Sequence, residues 1–302
     1  MTASVLLAAV TIAFPREGQR FGPLDRCYMI GATDCGETNL VVAGRNVPVY
    51  RTGAWGVLLD VSPGTNAVSA GGVTRTFFVA PRKKASAGAA KAPEKKYGKL
   101  KYAGDKPKER PVGRAPGEIT IVLDPGHGGN DTGAVSPHGW FEKDANLMLA
   151  REVRSFLVAR GYRVVMTRDD DSFPELYDRP KVAHANDADA FVSIHHNAPP
   201  HDKDPIALRY HCVYAWNPLG ECLAKAINAR MASSSGGVPA DNGVMHANFA
   251  VTRNPEIPSC LIEADFVTSP AGEESVWDPV RRRATAEAVA SGIADWCGSD
   301  LL

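Results

Sequence analysis

No apolar run long enough to cross a bilayer occurs in this chain of 302 residues. The N-terminal run Ala3 to Phe14 falls short of the roughly 20 residues a spanning helix needs, and it lacks the basic leader and small-residue cleavage site of a secretory signal. It reads as a strand, although a trimmed remnant of an export signal would look the same, so export stays open. Neither sign of charge is in excess. Lys plus Arg and Asp plus Glu each number 34, which leaves no electrostatic case for nucleic acid or a membrane surface as partner. Cysteine is sparse: Cys27, Cys35, Cys212, Cys222, Cys260 and Cys297 show no CxxC spacing, so no cysteine metal site is indicated. Cys212 and Cys260 lie inside apolar runs and read as buried thiols, and Cys27 with Cys35 is the one local pair to test. A GxxxxGK[ST] phosphate loop is missing too, and so is any internal repeat.

What is present is enough apolar material, 44% of residues, to bury at least one full core. Short apolar or alternating runs fill Val5 to Val79: Cys27 to Ile30, Asn39 to Val42, Val47 to Tyr50, Trp55 to Leu59 and Thr74 to Val79. Turns are expected at Gly44-Arg45-Asn46 and Pro63-Gly64-Thr65-Asn66. The pattern predicts a small all-β sandwich or barrel over residues 1–80. Lys, Ala, Gly and Pro then dominate, so residues 81–116 are expected to be a basic flexible linker, read as a solvated spacer ahead of a device for attracting an anionic polymer.

Strands and helices alternate over residues 117–302. Strands are expected at Ile119 to Leu123, Tyr162 to Thr167, Ala190 to Ile194, Leu208 to Tyr214 and Ser259 to Glu263. Helices are expected from about Glu142 to Arg160, near Arg179 to Asn186, from about Leu219 to Ala232 and at Val280 to Trp296. Leu149, Val153, Phe156 and Leu157 supply the stripe of the first helix, and Gly161 sits where a C-terminal cap belongs. This alternation predicts an α/β fold with a mixed, largely parallel sheet flanked by helices.

Sites in such folds gather at the carboxyl ends of strands. Three polar groups stand there: Asp124-Pro125-Gly126-His127-Gly128-Gly129, His195-His196-Asn197, and Glu263. His127 lies in a glycine-rich loop with room for a metal or substrate beside its imidazole; a histidine bonded only to backbone would look the same. Glu142 opens a helix, where the dipole alone favours a carboxylate by roughly 0.3 to 1 kcal/mol. His195 ends an apolar run, as a satisfied core histidine also would. Glu263 is harder to dismiss, because an unpaired charge at the end of a central strand costs several kcal/mol. Asp265, two residues on, is expected on the same face and competes for the same role. Two histidines and a carboxylate from three separate elements match the His2Glu set of a catalytic zinc site, and a further unliganded Glu supplies a base. His138, His184, His196, His201, His211 and His246 have no comparable setting, although His196 and His246 could approach the cleft.

These segments resemble the zinc-dependent N-acetylmuramoyl-L-alanine amidase family of the amidase 3 type, over roughly Ile119 to Trp296. Ile121 to Gly129 is similar to its first metal motif and Glu142-Lys143-Asp144-Ala145-Asn146-Leu147 to its second. Ala188 to Ala198 is similar to the third, and Leu261 to Phe266 to the segment bearing the catalytic glutamate. The resemblance implies zinc ligation by His127, Glu142 and His195, general acid and base work by Glu263, and a peptidoglycan or muropeptide substrate cut between the muramyl lactyl group and L-alanine. It also implies a periplasmic or extracellular location in the cell envelope. His196, Ala264-Asp265 and the strand near Arg209 to Tyr214 depart from the family pattern. Some members carry a long helix after the third motif that plugs the site; here about two dozen residues separate His195 from the next helix. A zinc peptidase cutting within the stem peptide and a non-catalytic wall-binding protein are the competing readings.

Overall fold

The computed structural model describes residues 9–34, 36–82, 108, 110–236, 238–254 and 256–298. The first half of the Ala3 to Phe14 run, Cys35 and most of the expected linker lie outside the described residues.

Residues 9–82 form two small sheets. One is antiparallel, with β1 (Thr11–Phe14), β3 (Arg26–Ala32) and β6 (Ala54–Asp60) in the order β1-β3-β6. The other contains β2 (Gln19–Phe21), β4 (Asn39–Val42), β5 (Arg45–Pro48), β7 (Gly64–Ala70) and β8 (Val73–Val79) in the order β2-β8-β7-β4-β5. Met29, Ile30 and Trp55 of the first sheet and Val42, Val47, Phe77 and Val79 of the second share one buried core, a sandwich arrangement. Both expected turns shift. Arg45 and Asn46 pair with Val42 and Val41, and the two-residue turn is Ala43-Gly44, with φ of 47° and 76°, the positive values of a hairpin turn that follows strand twist. Gly64, Thr65 and Asn66 likewise belong to β7, paired with Val79, Phe78 and Phe77. That strand, GTNAVSA, is only partly buried and has no apolar run to announce it.

The larger sheet runs β10-β9-β11-β14-β12-β13, from β9 (Thr120–Pro125), β10 (Arg163–Met166), β11 (Ala190–Asn197), β12 (His211–Ala215), β13 (Asp241–His246) and β14 (Ser259–Phe266). All neighbours are parallel except β12 and β14. Helices α1 (Glu142–Ala159), α3 (Pro218–Ala232) and α5 (Pro279–Cys297) cover one face, where Ile121, Leu123, Val192, Ile194 and Ile262 are buried among Leu149, Val153, Leu157, Leu223 and Ile293. Alternation sends Val122, Phe191 and Leu261 to the opposite face, against Ala183 of α2 (Arg179–Ala185). The edge strand β13 and the eight-residue helix α4 (Pro270–Trp277), capped by the Ser269 hydroxyl on Gly272 N–H, are additions to the expected elements. The strand expected from Leu208 starts three residues later, at His211. No helix among the described residues is long and apolar enough to cross a membrane.

The two parts are packed together. Val135 and Phe141 of the α/β part join the core of the β sandwich, and the loop between β11 and β12 docks there through Tyr28 N–H, which donates to the His201 carbonyl at 2.9 Å. Cys27, Cys212, Cys260 and Cys297 are buried free thiols, as read for Cys212 and Cys260, whereas Cys222 is exposed.

Candidate metal and catalytic site

The carboxyl ends of β9, β11 and β14 lie side by side, so the loop after β9 and the last residues of β11 and β14 meet at one edge of the sheet. The Asp124 to His127 turn is held from behind. Arg168 donates to the carbonyls of Pro125 at 2.9 Å and Gly126 at 2.8 Å, and Arg179 donates to those of Pro125 and His127 and to the fully buried Asp124 carboxylate. Lys143 closes the loop from the other side by donating to the Gly129 carbonyl at 2.9 Å. His127 sits in this turn at φ 62°, a left-handed conformation that a non-glycine residue adopts only when its surroundings enforce it. Gly126 is required for a different reason. A Cβ there would lie 2.1 Å from the His195 ring, so the loop and the imidazole approach as closely as they do because no side chain intervenes.

His127, Glu142 and His195 converge. One donor atom from each lies within 4.8 Å of the other two, a set able to hold a metal ion. Glu142 Oε1 is 3.1 Å from His127 Nε2 and 3.0 Å from His195 Nδ1. The carboxylate is oriented by the Ala134 N–H on Oε2 at 2.9 Å and the Asn146 side-chain amide on Oε1 at 3.2 Å. Its position in the first turn of α1 thus serves contacts outside the helix. His127 Nδ1 faces Asp131 Oδ2 at 2.9 Å, which turns Nε2 toward the cluster, the usual second partner of a metal-binding imidazole.

Burial opposes charge on His127, but the hydrogen bonds and charges of Glu142 and Asp131 outweigh it and raise its pKa from 6.5 to about 9. Glu142 is buried, yet the two imidazoles hold its carboxyl well below the ordinary range. Glu263 behaves oppositely. It lines the same cavity as His127 and His195, its Oε2 is buried without a hydrogen-bond partner among the described residues, and burial together with the nearby Glu142 charge pushes its pKa well above the ordinary carboxylate range. Two neighbouring carboxylates are driven apart in pKa.

Residues 121–295 match the family described as N-acetylmuramoyl-L-alanine amidase, more than half of the chain. The chain belongs to the N-acetylmuramoyl-L-alanine amidase family. Amidase AmiC of Neisseria meningitidis is 35% identical over 234 residues, 63% of this chain and 55% of that protein. Amidase AmiA of Escherichia coli is 30% identical over 236 residues, 63% of this chain and 79% of that protein. Among solved structures, amidase AmiC2 of Nostoc punctiforme matches with 33% identity and a TM-score of 0.56, over 59% of this chain and 97% of that one. The amidase of Clostridium difficile 630 matches with 30% identity and a TM-score of 0.56, over 61% of this chain and 98% of that one. The chain spans little more than half the length of the Neisseria relative and of a Staphylococcus epidermidis cell wall amidase, 55% and 59%.

In this amidase-family chain Asp265 does not share the Glu263 face, contrary to expectation. His195 pairs with Glu263, but Asn197 pairs with Phe266, so β14 carries one extra residue. Such a bulge breaks the alternation. Asp265 is instead buried in a two-point pair with Arg209, at 3.0 and 2.8 Å. His196 also lies behind the site, its Nδ1 2.8 Å from Asn146 Oδ1, and burial lowers its pKa to about 4, so it is neutral. His246 ends the exposed edge strand and is not among the cavity's lining residues. Asp131, Asn146, Arg168 and Arg179 join the site without belonging to its sequence-predicted residues. Asp131 follows His127 by four residues, a nearby carboxylate legible in sequence; the two arginines act from 42 and 52 positions away and carry no local signal. The loop from 198 to 210 contains no helix, so nothing of the plugging kind stands after β11.

Proposed function

We propose that this chain is a zinc-dependent N-acetylmuramoyl-L-alanine amidase that hydrolyses peptidoglycan at the amide between the muramyl lactyl group and L-alanine. The observation that carries the reading is the grouping of His127, Glu142 and His195, with the unpaired Glu263 carboxylate lining the same cavity as the two histidines, in an amidase-family chain. The donor set of two imidazole nitrogens and one carboxylate oxygen fits zinc with a position left open. His127, Glu142 and His195 would hold it, and when bound it would supply Lewis-acid polarisation of the scissile carbonyl.

Glu263 is the general base and then the acid. Burial and the nearby Glu142 charge raise its pKa well above the ordinary carboxylate range, which makes it a stronger proton acceptor than an exposed glutamate. The carboxylate accepts a proton from the attacking water as the new C–O bond forms at the lactyl carbonyl carbon. It then delivers that proton to the alanine nitrogen as the C–N bond breaks, leaving a free lactyl carboxyl and a free amine. Asp131 fixes the His127 ring, and Arg168 and Arg179 hold the loop that carries it.

The division into a β domain over 1–80, a linker over 81–116 and a catalytic domain over 117–302, and action in the cell envelope on peptidoglycan or muropeptides, belong to the same proposal. Mass spectrometry of defined muropeptides after digestion tests it. Intact stem peptide with a free alanine amine is the expected product; cleavage inside the stem, or none in zinc-loaded protein, overturns the reading.

A further inference from the structure

A second cavity, of about 620 Å³, lies between the β sandwich and the loop that precedes α1, lined by Phe14, Arg16, Gln19 and Tyr28 on one wall and Thr132 and Gly133 on the other. It adjoins the candidate catalytic cavity. Asp131 lines the one and Thr132 lines the next. Gly133, in the lining of the second cavity, packs directly against the metal-binding residues: a Cβ there would lie 2.6 Å from Glu142 Oε2 and 2.7 Å from His127 Cδ2. On the far wall, Ala198 and Pro199 follow directly from the strand that ends in His195 and Asn197. A chain-like substrate leaving the metal-binding residues on this side therefore enters the groove.

The groove is built rather than incidental. The His201 ring stacks on Phe14 at 5.3 Å and meets Phe21 edge-on at 5.1 Å, and the His201 backbone accepts from Tyr28. Two walls from opposite parts of the chain are thus held at a fixed separation, and a cavity of this size is in the range that small ligands occupy.

Its charge identifies the occupant. Arg16 is exposed, donates Nη2 to Thr132 Oγ1 at 3.1 Å, lies 6.0 Å from the Phe141 ring, and is paired with no carboxylate among the described residues. Glu17, the acidic residue of the lining, is engaged elsewhere, accepting from the Thr76 N–H at 3.0 Å and from its hydroxyl. A guanidinium fixed at a groove wall with its other donors free recognises a carboxylate. The candidate catalytic cavity itself, which His127, His195 and Glu263 line, is of the other kind. Phe173, Leu176 and Phe249 line it, and its cation, Arg179, is paired with Asp124. In the substrate the lactyl carboxyl is consumed in the amide, so free carboxylates belong to the peptide half.

We propose that this groove receives the stem peptide and that Arg16, contributed by the β sandwich, selects peptides with a free carboxylate. The proposal rests on the amidase reading above and assigns the N-terminal part a role in substrate choice.

The test compares N-acetylmuramoyl-L-alanyl-D-glutamic acid with its diamide as substrates of the zinc-loaded full chain. The wild type is expected to favour the acid, and Arg16→Gln to raise KM for the acid roughly tenfold with kcat little changed, which matches the loss of one charge-assisted hydrogen bond. KM for the diamide should stay put, and Arg16→Lys should recover part of the preference, which a purely structural role would not produce. Equal KM shifts on acid and diamide, or none on either, overturn the proposal. Binding of both compounds to Glu263→Gln protein separates this from the amidase reading. If the wild type cleaves neither compound while the acid still binds more tightly in an Arg16-dependent way, the groove stands and the amidase reading fails.

Discussion

His195 and Glu263 are register partners on the adjacent parallel strands β11 and β14. One step earlier Ile194 and Ile262 face the helical layer that contains α1 and α5. One residue of alternation therefore separates core from chemistry, and it delivers an imidazole and a carboxylate side by side to the same cavity. A slip of one residue by either strand would turn its own site residue into the helices, so the burial of Ile194, Ile262 and Val192 is also what fixes the site.

Glu263→Gln should fold, retain its metal and lose activity by on the order of 100 to 10,000-fold. Asp265→Asn should instead lose stability, by about 1 to 3 kcal/mol, because it weakens the buried pair with Arg209. Steady-state rates, metal content and urea unfolding of the two variants separate the roles; metal-free Glu263→Gln protein would make that residue a ligand.

Chelation should abolish activity, and zinc should restore it. His127→Ala and His195→Ala should hold no stoichiometric metal. Asp131→Asn, which weakens the contact at 2.9 Å to His127 Nδ1, should bind zinc roughly 10 to 100-fold more weakly, read by competition with a chromogenic chelator. Unchanged affinity would show that His127 needs no partner on its far nitrogen.

Gly126→Ala should displace the His195 ring, which the new methyl group would overlap at 2.1 Å. Zinc affinity and activity are expected to fall together while circular dichroism stays native. Gly22→Ala meets no atom within 4 Å and is the control. A fully active Gly126→Ala enzyme would mean that the loop can retreat without cost.

His138 links the loop before α1 to α4, its Nδ1 2.7 Å from the buried Glu273 carboxylate. Hydrogen bonding to Glu273, opposed by partial burial, raises the His138 pKa above 6.5. A histidine with a raised folded pKa contributes its full stabilisation below about 6.5 and loses it as pH rises through the folded value. The stability gap between wild type and His138→Gln should thus be largest in mildly acidic buffer and shrink toward alkaline pH, by about 1 kcal/mol or less at this partial exposure. Urea unfolding across pH 5 to about 9 checks the sign, and a gap that widens with pH would reverse it.

The α/β alternation, the sandwich-like N-terminal pattern and the residues His127, Glu142, His195 and Glu263 are legible in the chain alone, because each rests on a local signal. Apolar runs mark the central strands, a glycine-rich turn follows β9, and polar residues stand where an apolar run ends. Strands β7 and β13 are not legible, since both mix exposed with partly buried residues and their pairing depends on neighbours rather than on their own side chains. Asp265 was misdirected for a related reason: strict alternation holds only while strands stay in register, and the bulge opposite His195 and Asn197 is a property of two strands, not one. Tertiary structure alone decided that Arg168 and Arg179 grip the loop of His127. It alone also brought Arg16 to Thr132, 116 positions away in the chain. Propensity and periodicity act over a few residues and are written in sequence; contacts between distant segments exist only once burial of the shared core has fixed which faces meet.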